Sequence, residues 1–307
     1  AALALDLLAG EPPRAVHPVA IAGRAIDALR ARAPRAPRAQ LVHGALVVGL
    51  PALGAAVIGA LATRVRPWPL RLVAAVWLLK TTFALRELVE AGRSVERSLE
   101  HGDLAAAREG LRALVSRPVE HLDGPHVASA AIESLAENLA DSYLAPLFYY
   151  VLGGLPAALA YRVVNTADAM VGYRGDLEYV GKVSARLDDL LNLVPARLSA
   201  LALAAAAPLV GQSGERALGV ARREHGMTDS PNAGWPMAAA AGALGVWREK
   251  PGHYRLDGAR APGHADIGRA SRLVQVAALL GTAALLAARG AHRGTAARLG
   301  ARGAHRA

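Results

Sequence analysis

The sequence predicts an all-α, polytopic integral membrane protein with about four to six membrane-embedded helices. Three observations support this fold class. Hydrophobic residues make up 53% of the 307 residues, and the mean hydropathy is +0.25. Charged residues collect between the apolar runs, as they do in loops at a membrane surface. The apolar runs that approach the length of a spanning helix are 41–62, 68–88, 143–164, 193–212 and 272–288.

The order of these runs indicates one membrane-embedded domain over residues 1–288. Two polar regions interrupt it, a helical insert at 89–142 and a loop region at 213–269. The last segment, 289–307, repeats RGAHR, and we expect a disordered basic tail there.

Composition excludes several classes of function. The net charge is +10, but the basic residues are dispersed between apolar runs, which argues against nucleic-acid binding. The chain has no cysteine, so disulfides and thiol catalysis are excluded. A basic connector between Arg24 and Arg38 favours the cytoplasmic side. We therefore expect a multi-pass protein of the cell inner membrane, with its active site on the cytoplasmic side.

The first two polar features lie near membrane boundaries. The proline-rich segment GEPPRAVHPV at 10–19 predicts a shaped loop. His17 lies on this loop, where it either has a structural role or contacts substrate. Pro51 is expected to kink the span at 41–62. Lys80 lies inside the expected span 68–88, and we interpret it as a side chain that extends toward the interface.

The strongest polar signal is a row of carboxylates directly before an apolar run. Glu133, Glu137 and Asp141 are spaced at i, i+4 and i+8, so a helix places them on one face, with Asn138 nearby. Like charges at this spacing repel each other. Because carboxylates beside lipid are costly, such residues are functional candidates. We expect a divalent ion, arginine partners or protonation to neutralise them.

The apolar run after this row carries Gly-Gly-Leu-Pro at its middle, 153–156, and allows two interpretations. A single kinked span places the carboxylate row and Asp168 on opposite sides of the membrane. A re-entrant hairpin broken at the glycines places them on the same side, which buried backbone allows. We favour the hairpin because it unites the polar motifs into one site.

More polar residues follow this run. Asn165 and Asp168 share a helical face at i and i+3. The pair Asp188 and Asp189 either caps a helix or binds magnesium. Other side chains that could contact a substrate are Tyr173, Arg174, Tyr179, Lys182, Asn192, Arg197, Ser230, Asn232 and Trp235.

These residues alone leave two functions open. Carboxylates, amides, arginine and tyrosine at a membrane face suit phosphoryl-group or metal-assisted chemistry. They equally suit a transporter whose polar residues line a pathway. The sequence contains no Walker A, dinucleotide-binding or nucleophile-elbow motif.

Five motifs, in order, resemble the CobD/CbiB family of membrane adenosylcobinamide-phosphate synthases, and the resemblance runs over about residues 5–285. They are GEPPRAVHPV (10–19), ESLAENLADSYLAPLFYY (133–150), NTADAMVGYR (165–174), GKVSARLDDLLNLVPAR (181–197) and SPNAGWPMAA (230–239).

The resemblance implies a ligase that depends on ATP and Mg²⁺ and joins adenosylcobyric acid to aminopropanol or its O-phosphate. It implies a catalytic group of Glu133, Glu137, Asp141, Asp168 and Lys182, and metal ligands among Glu137, Asp141, Asp188 and Asp189. Which carboxylate is the base stays open. The implied substrate contacts are His17, Asn138, Asn165, Tyr173, Arg174, Tyr179, Asn192, Arg197, Ser230, Asn232 and Trp235, with Trp235 against the corrin face.

The alternative is a non-catalytic membrane protein of the same superfamily, similar to AmpE-type signalling proteins, or a corrinoid transporter. Further expected partners are the lipid bilayer, a second copy of the chain and neighbouring enzymes of cobalamin synthesis. The motifs leave open whether the amine substrate is phosphorylated.

Overall fold

The computed structural model describes residues 1–12, 17–171, 177–250, 252, 254–256 and 260–304, with side chains described through residue 290. Within these ranges the chain is almost entirely helical. The helices are α1 Ala2–Ala9, α2 Pro18–Arg30, α3 Pro37–Arg64, α4 Trp68–Lys80, α5 Leu85–Glu100, α6 Leu104–Leu111, α7 Gly124–Leu139, α8 Ala145–Val171, α9 Glu178–Ala206, α10 Gly214–Glu224, α11 Gly234–Leu244 and α12 His264–Ala304.

Short elements connect some of these helices. A π-helical turn, Ala140–Leu144, joins α7 to α8. Two 3-10 turns, Ala207–Val210 and His225–Met227, follow α9 and α10. The strands β1 Arg248–Lys250 and β2 Tyr254–Leu256 pair antiparallel.

Four helical segments in the described part of the chain are long and apolar enough to cross a membrane. This finding confirms the predicted all-α membrane fold. Helices α3 and α9 meet at Gly44, where any Cβ atom would collide with the Val180 carbonyl oxygen. Leu50 and Leu53 on α3 stay exposed, as expected for a surface that faces lipid. The segments are Pro37–Arg64, Gly124–Val171, Glu178–Val210 and His264–Gly290.

Helix α8 reverses direction at Gly154, whose φ of 69° and ψ of −159° are not helical. The two arms then run side by side. The Tyr161 hydroxyl donates to the Asp141 carbonyl oxygen at 3.1 Å across 20 residues, which a straight helix would separate by about 30 Å. The rings of Tyr149 and Tyr161 stack with centroids 5.0 Å apart. The hairpin interpretation is therefore the one that the structure adopts.

The expected span at 68–88 is wrong. Helix α4 has only 13 residues, about 20 Å at 1.5 Å per residue, and is shorter than a bilayer core of about 30 Å. Its end is fixed by the Thr81 and Thr82 hydroxyls, which donate to carbonyls three residues earlier. Lys80 does not extend toward an interface. Its ammonium is buried and pairs with Glu11 and with Asp6, 3.4 Å away.

The polar regions also contain ordered structure. Helices α5 and α6 turn at Gly102, as an insert of paired helices predicts. The 213–269 region holds α10, the β1–β2 hairpin and α11, and α11 is almost fully buried in the main core against α7 and α9. Helix α12 continues to Ala304, and its alanine and arginine content favours helix there. The disorder expected for 289–307 stays a prediction.

The hairpin predicts which ends of the chain share a membrane side. His121, before the first arm, and Ala169, near the end of the second, are both exposed. Because the native chain lacks cysteine, His121→Cys and Ala169→Cys each give one labelling site. In sealed vesicles of one orientation, a membrane-impermeant maleimide should modify both from the same side. Reaction from opposite sides would contradict the hairpin, and detergent-solubilised protein gives the full-labelling control.

The buried ion pair at Lys80 predicts a pH-dependent stability. Burial alone would raise the pKa of Glu11, but hydrogen bonds from His17 and Lys80 hold that pKa below its ordinary value. A carboxyl group whose pKa is lowered by folding stabilises the folded state at pH values above its pKa in the unfolded chain, about 4.3. This contribution is lost as the pH falls through the pKa of the folded state. Glu11→Gln should lower stability by about 2 kcal/mol at pH 7, and the loss should persist down to about pH 4 and shrink only below it.

Thermal unfolding of the detergent-solubilised variant across this pH range measures the effect. The matched control is Glu90→Gln, which removes an exposed pair with Arg86 and should change stability by less than about 0.5 kcal/mol. A pH-independent loss in Glu11→Gln would show that the ion pair does not contribute as described.

Candidate functional site

The centre of the candidate site is the Asp188 carboxylate on α9, which is buried. Its two oxygens accept hydrogen bonds from different elements. Asn165 Nδ2 donates to Asp188 Oδ1 at 3.3 Å, and Asn192 Nδ2 donates to Asp188 Oδ2 at 2.9 Å. The Tyr161 hydroxyl donates to Asn192 Oδ1 at 2.8 Å. These bonds fix the orientation of Asp188 between α9 and the second hairpin arm.

The first hairpin arm reaches this centre through the π-helical turn. Asp141 and Ser142 lie in that turn, and such turns, rare elsewhere, are frequent at functional sites. Arg162 Nη1 on the second arm donates to Ser142 Oγ and to Asn165 Oδ1, each at 3.1 Å. Ser142 Oγ in turn donates to Asn138 Oδ1 at 2.9 Å. The hairpin reversal thus brings residues from three separate sequence motifs into one polar network.

The network concentrates negative charge. Asp141 interacts electrostatically with the charged groups of Asp188, Glu137, Asp168 and Arg162. Asp168 is repelled by the carboxylates of Asp188 and Asp189. Only Arg162 among the named groups is cationic. Such an arrangement favours a bound cation, because like charges in a poorly hydrated site repel strongly.

The loop between α10 and α11 closes the site from another direction. Asn232 Nδ2 donates to the Asp189 carbonyl oxygen at 2.6 Å, and Ser230 Oγ lies 3.4 Å from Asp189 Oδ1. The sequence alone did not determine whether the 165–190 and 213–269 regions share one side of the membrane. These contacts show that they meet.

Trp235 lies beside this loop with much of its ring already in contact. The His225 ring stacks on it at a centroid distance of 4.0 Å, and the Arg197 guanidinium carbon lies 5.0 Å from its ring centroid. Arg197 Nη1 also donates to Asn232 Oδ1 at 3.3 Å. Packing of Trp235 on a corrin face, as expected from the sequence, would require His225 or Arg197 to move.

Glu133 and Glu137 lie two turns and one turn before Asp141, respectively, next to a different set of groups. Glu133 is buried and accepts from Arg117 Nη2 at 3.3 Å and from the Tyr254 hydroxyl. Glu137 lines a pocket with Arg117 and Lys250. The predicted row of carboxylates is therefore divided between two places. Asp141 lies at the Asp188 centre, and Glu133 lies beside Arg117.

Several predicted residues lie away from the centre. Lys182 is exposed and pairs with Glu178 at 3.1 Å, with its ammonium over the Tyr179 ring. His17 caps α2 by accepting from the Val19 amide and bonds to Glu11 at 2.7 Å. Both of its ring nitrogens are thus occupied, which favours the structural role. Tyr173 and Arg174 fall outside the described residues.

Sequence reasoning missed four side chains that the structure places at the site. Arg162 and Tyr161 stand inside an apolar run, and a charged residue in such a run is a usable functional signal. Arg117 and Tyr254 gave no signal, because their partner Glu133 lies 16 and 121 residues away along the chain.

Carboxylate and amide oxygens make the centre chemically suited to Mg²⁺, which prefers oxygen ligands. In the described part of the chain, no group of three histidine, cysteine or acidic residues is arranged to hold a metal by itself. Mg²⁺ is commonly held by one or two carboxylates together with substrate phosphates. Asp141 and Asp188 fit that requirement, so these two residues would hold the ion.

Comparison with known proteins supports one family. The family model described as CobD/Cbib protein matches residues 1–282. A "Cobalamin biosynthesis protein CobD" from Dehalococcoides mccartyi is 44% identical over 83% of this chain and 84% of its own length. One with the same name from Citrobacter koseri is 40% identical over 91% of this chain and 92% of its own length. A "Probable cobalamin biosynthesis protein CobD" from Methanothrix thermoacetophila is 43% identical over 91% and 92%, respectively. No solved structure matched.

The crowding of carboxylates predicts the behaviour of Asp141→Asn. This variant removes a like charge beside Asp188, so without divalent ions its unfolding temperature should equal or exceed that of the native chain. Mg²⁺ should raise the unfolding temperature of the native chain through binding and have little effect on the variant. The exposed Asp27→Asn is the control and should respond to Mg²⁺ like the native chain. An unchanged Mg²⁺ response in Asp141→Asn would exclude Asp141 as a ligand.

Proposed function

Because the chain belongs to the CobD/CbiB family, we propose that it acts in cobalamin biosynthesis as an ATP-dependent amide ligase. Its substrates are adenosylcobyric acid and aminopropanol or its O-phosphate. The observation that carries this proposal is the buried Asp188 centre, where carboxylates, amides and one guanidinium from distant motifs converge. Oriented charged groups in a membrane-embedded site suit positioning and charge neutralisation, which are the main needs of phosphoryl-group chemistry.

Amide formation from a carboxylate requires activation, and ATP is the proposed phosphoryl donor. Mg²⁺, when bound, would neutralise phosphate charge. Within the chain, Asp141 and Asp188 would provide its ligands. Asn165 and Asn192 hold Asp188 in place by their hydrogen bonds, as partners of metal ligands commonly do.

Two further residues have distinct roles in this proposal. Arg162 is held by Ser142 and Asn165, and its Nε atom is buried without a partner in the described part of the chain. This Nε–H is placed to donate to a carboxylate or phosphate oxygen of a substrate. Asp168 is half-buried, and no hydrogen bond with a described residue occupies its carboxylate. It is the best candidate to take the proton from the attacking amine.

The contacts of the basic connector support a cytoplasmic site. Arg30 Nη1 donates to the Met170 carbonyl oxygen at 3.2 Å, so the connector lies beside the open end of the hairpin, two residues from Asp168. Short loops rich in arginine face the cytoplasm in most membrane proteins. The open end of the hairpin, and with it the site, is therefore proposed to face the cytoplasm.

An assay on detergent-purified protein tests the function. Adenosylcobyric acid, ATP and Mg²⁺ are supplied with either aminopropanol or its O-phosphate, and the corrinoid products are resolved by mass spectrometry. Asp141→Asn and Asp188→Asn should lower turnover at least about 100-fold, the usual effect of removing one oriented electrostatic group. The exposed Lys182→Gln should stay within about threefold, because its partner is Glu178.

Two outcomes would contradict the proposal. Folded native protein that binds adenosylcobyric acid but forms no amide would favour a binding or transport role. Native turnover in both aspartate variants would remove the Asp188 centre from the mechanism.

A further inference from the structure

A second polar pocket lies beside Glu133, apart from the Asp188 centre. It has a volume of about 190 Å³ and opens between α7, the segment after α6 and strand β1. Eight residues along the helix separate Glu133 from Asp141, which corresponds to about 12 Å. The lining residues are Leu114, Val115, Ser116, Arg117, Glu133, Ser134, Glu137 and Lys250.

The guanidinium groups around this pocket have unused donors. Arg248 is fully buried, donates from Nη1 to the Met237 carbonyl, and leaves Nε and Nη2 without a described partner. The Nε atom of Arg117 is buried and also has no partner in the described part of the chain. Buried donors without acceptors are rare in folded proteins. Arg117 lines the pocket, so its unpartnered Nε indicates an acceptor that belongs to a ligand.

The charge balance favours an anion. Glu133 is already matched by Arg117 and by the Tyr254 hydroxyl. Lys250 lines the pocket and forms no ion pair within the described residues. Glu137 is attracted electrostatically by Arg248, Lys250 and Arg117. Three cations therefore surround the two carboxylates of Glu133 and Glu137.

The volume limits the size of the ligand. At about 30 Å³ per water in the liquid, the pocket holds roughly six waters. Pockets for drug-sized molecules are about 300–1,000 Å³. The pocket thus has room for one phosphate group with a short attachment, and a corrinoid or a whole nucleotide would have to lie mostly outside it.

We propose that this pocket binds a phosphate group, with Lys250 and Arg117 contacting its oxygens and Arg248 supplying charge from behind. The inference rests on the proposed function for the source of the phosphate. That reaction offers two sources, the phosphates of ATP and the phosphate of a phosphorylated amino alcohol. Glu137 at the same pocket would attract the ammonium group of the amino alcohol and would repel a polyphosphate.

Binding to the intact, detergent-purified chain tests the proposal without turnover. Isothermal titration calorimetry measures affinities for ATP, aminopropanol O-phosphate, inorganic phosphate and unphosphorylated aminopropanol. Lys250→Gln should weaken binding of at least one phosphate-bearing probe by tenfold or more, since a charge-assisted hydrogen bond contributes about 1.5–3 kcal/mol. Its effect on unphosphorylated aminopropanol should stay within threefold.

A matched control and a second variant complete the design. Arg255→Gln removes an exposed cation of the same hairpin, paired with Glu249, and should leave all affinities within twofold. Arg117→Lys keeps a charge beside Glu133 but loses the planar donor set, so it should also weaken the phosphate probe while the protein remains folded by circular dichroism.

The probe that responds identifies the source. A change for ATP alone assigns the pocket to the nucleotide, and a change for aminopropanol O-phosphate alone assigns it to the amine substrate. The proposal is overturned if neither variant alters any phosphate-bearing probe, or if Arg255→Gln alters them equally. If Lys250→Gln and Arg117→Lys weaken phosphate binding as expected but the native chain forms no amide, the phosphate site is supported and the ligase function is contradicted.

Discussion

The reversal of α8 at Gly154 is the constraint on which the polar site depends. A left-handed φ of 69° is strained for residues with a Cβ atom but open to glycine. Because the chain turns back there, Tyr161 and Arg162 lie level with Asp141 and Ser142 instead of about 30 Å away. The Asp188 carboxylate then has one amide partner on the second arm, Asn165, and one on its own helix, Asn192. Without the reversal, the motifs before and after the glycines could not share a site.

Carboxylates inside a membrane protein need compensation, and the structure supplies it in two ways. Asp188 is compensated by dipoles, since two asparagine amides donate to it. Glu133 is compensated by charge and a hydroxyl, from Arg117 and Tyr254. Asp141 has less of either, with Arg162 as the cation that acts on it. The difference separates a carboxylate that is held in place from one that is left available for a ligand.

Much of this arrangement could be predicted from the sequence, and the reasons for the rest are physical. The membrane class, the hairpin and the convergence of Asp141, Asn165 and Asp188 followed from apolar runs, paired glycines and helical spacing. The family itself followed from the order of five motifs. Each of these signals is local or depends only on the order of segments.

The parts that could not be predicted depend on contacts distant in sequence. The sequence predicted an interfacial position for Lys80. It gave no sign of the buried ion pair, because the partners Asp6 and Glu11 lie some seventy residues earlier. Tyr254 meets Glu133 through a short hairpin that the sequence showed only as a loop. The π-helical turn at Ala140–Leu144 differs from an α-turn by one residue of winding, which no periodicity in so short a segment reveals.

The hairpin also has a consequence for how the chain enters a membrane. Its apical stretch, residues 145–161, contains no charged side chain, while Asp141 and Arg162 stand on either side of it. Both arms can therefore be inserted from one side without transferring an ionised group through hydrocarbon, a step that costs several kcal/mol for each charge. The glycine turn that assembles the site thus also spares its polar residues from translocation during biogenesis.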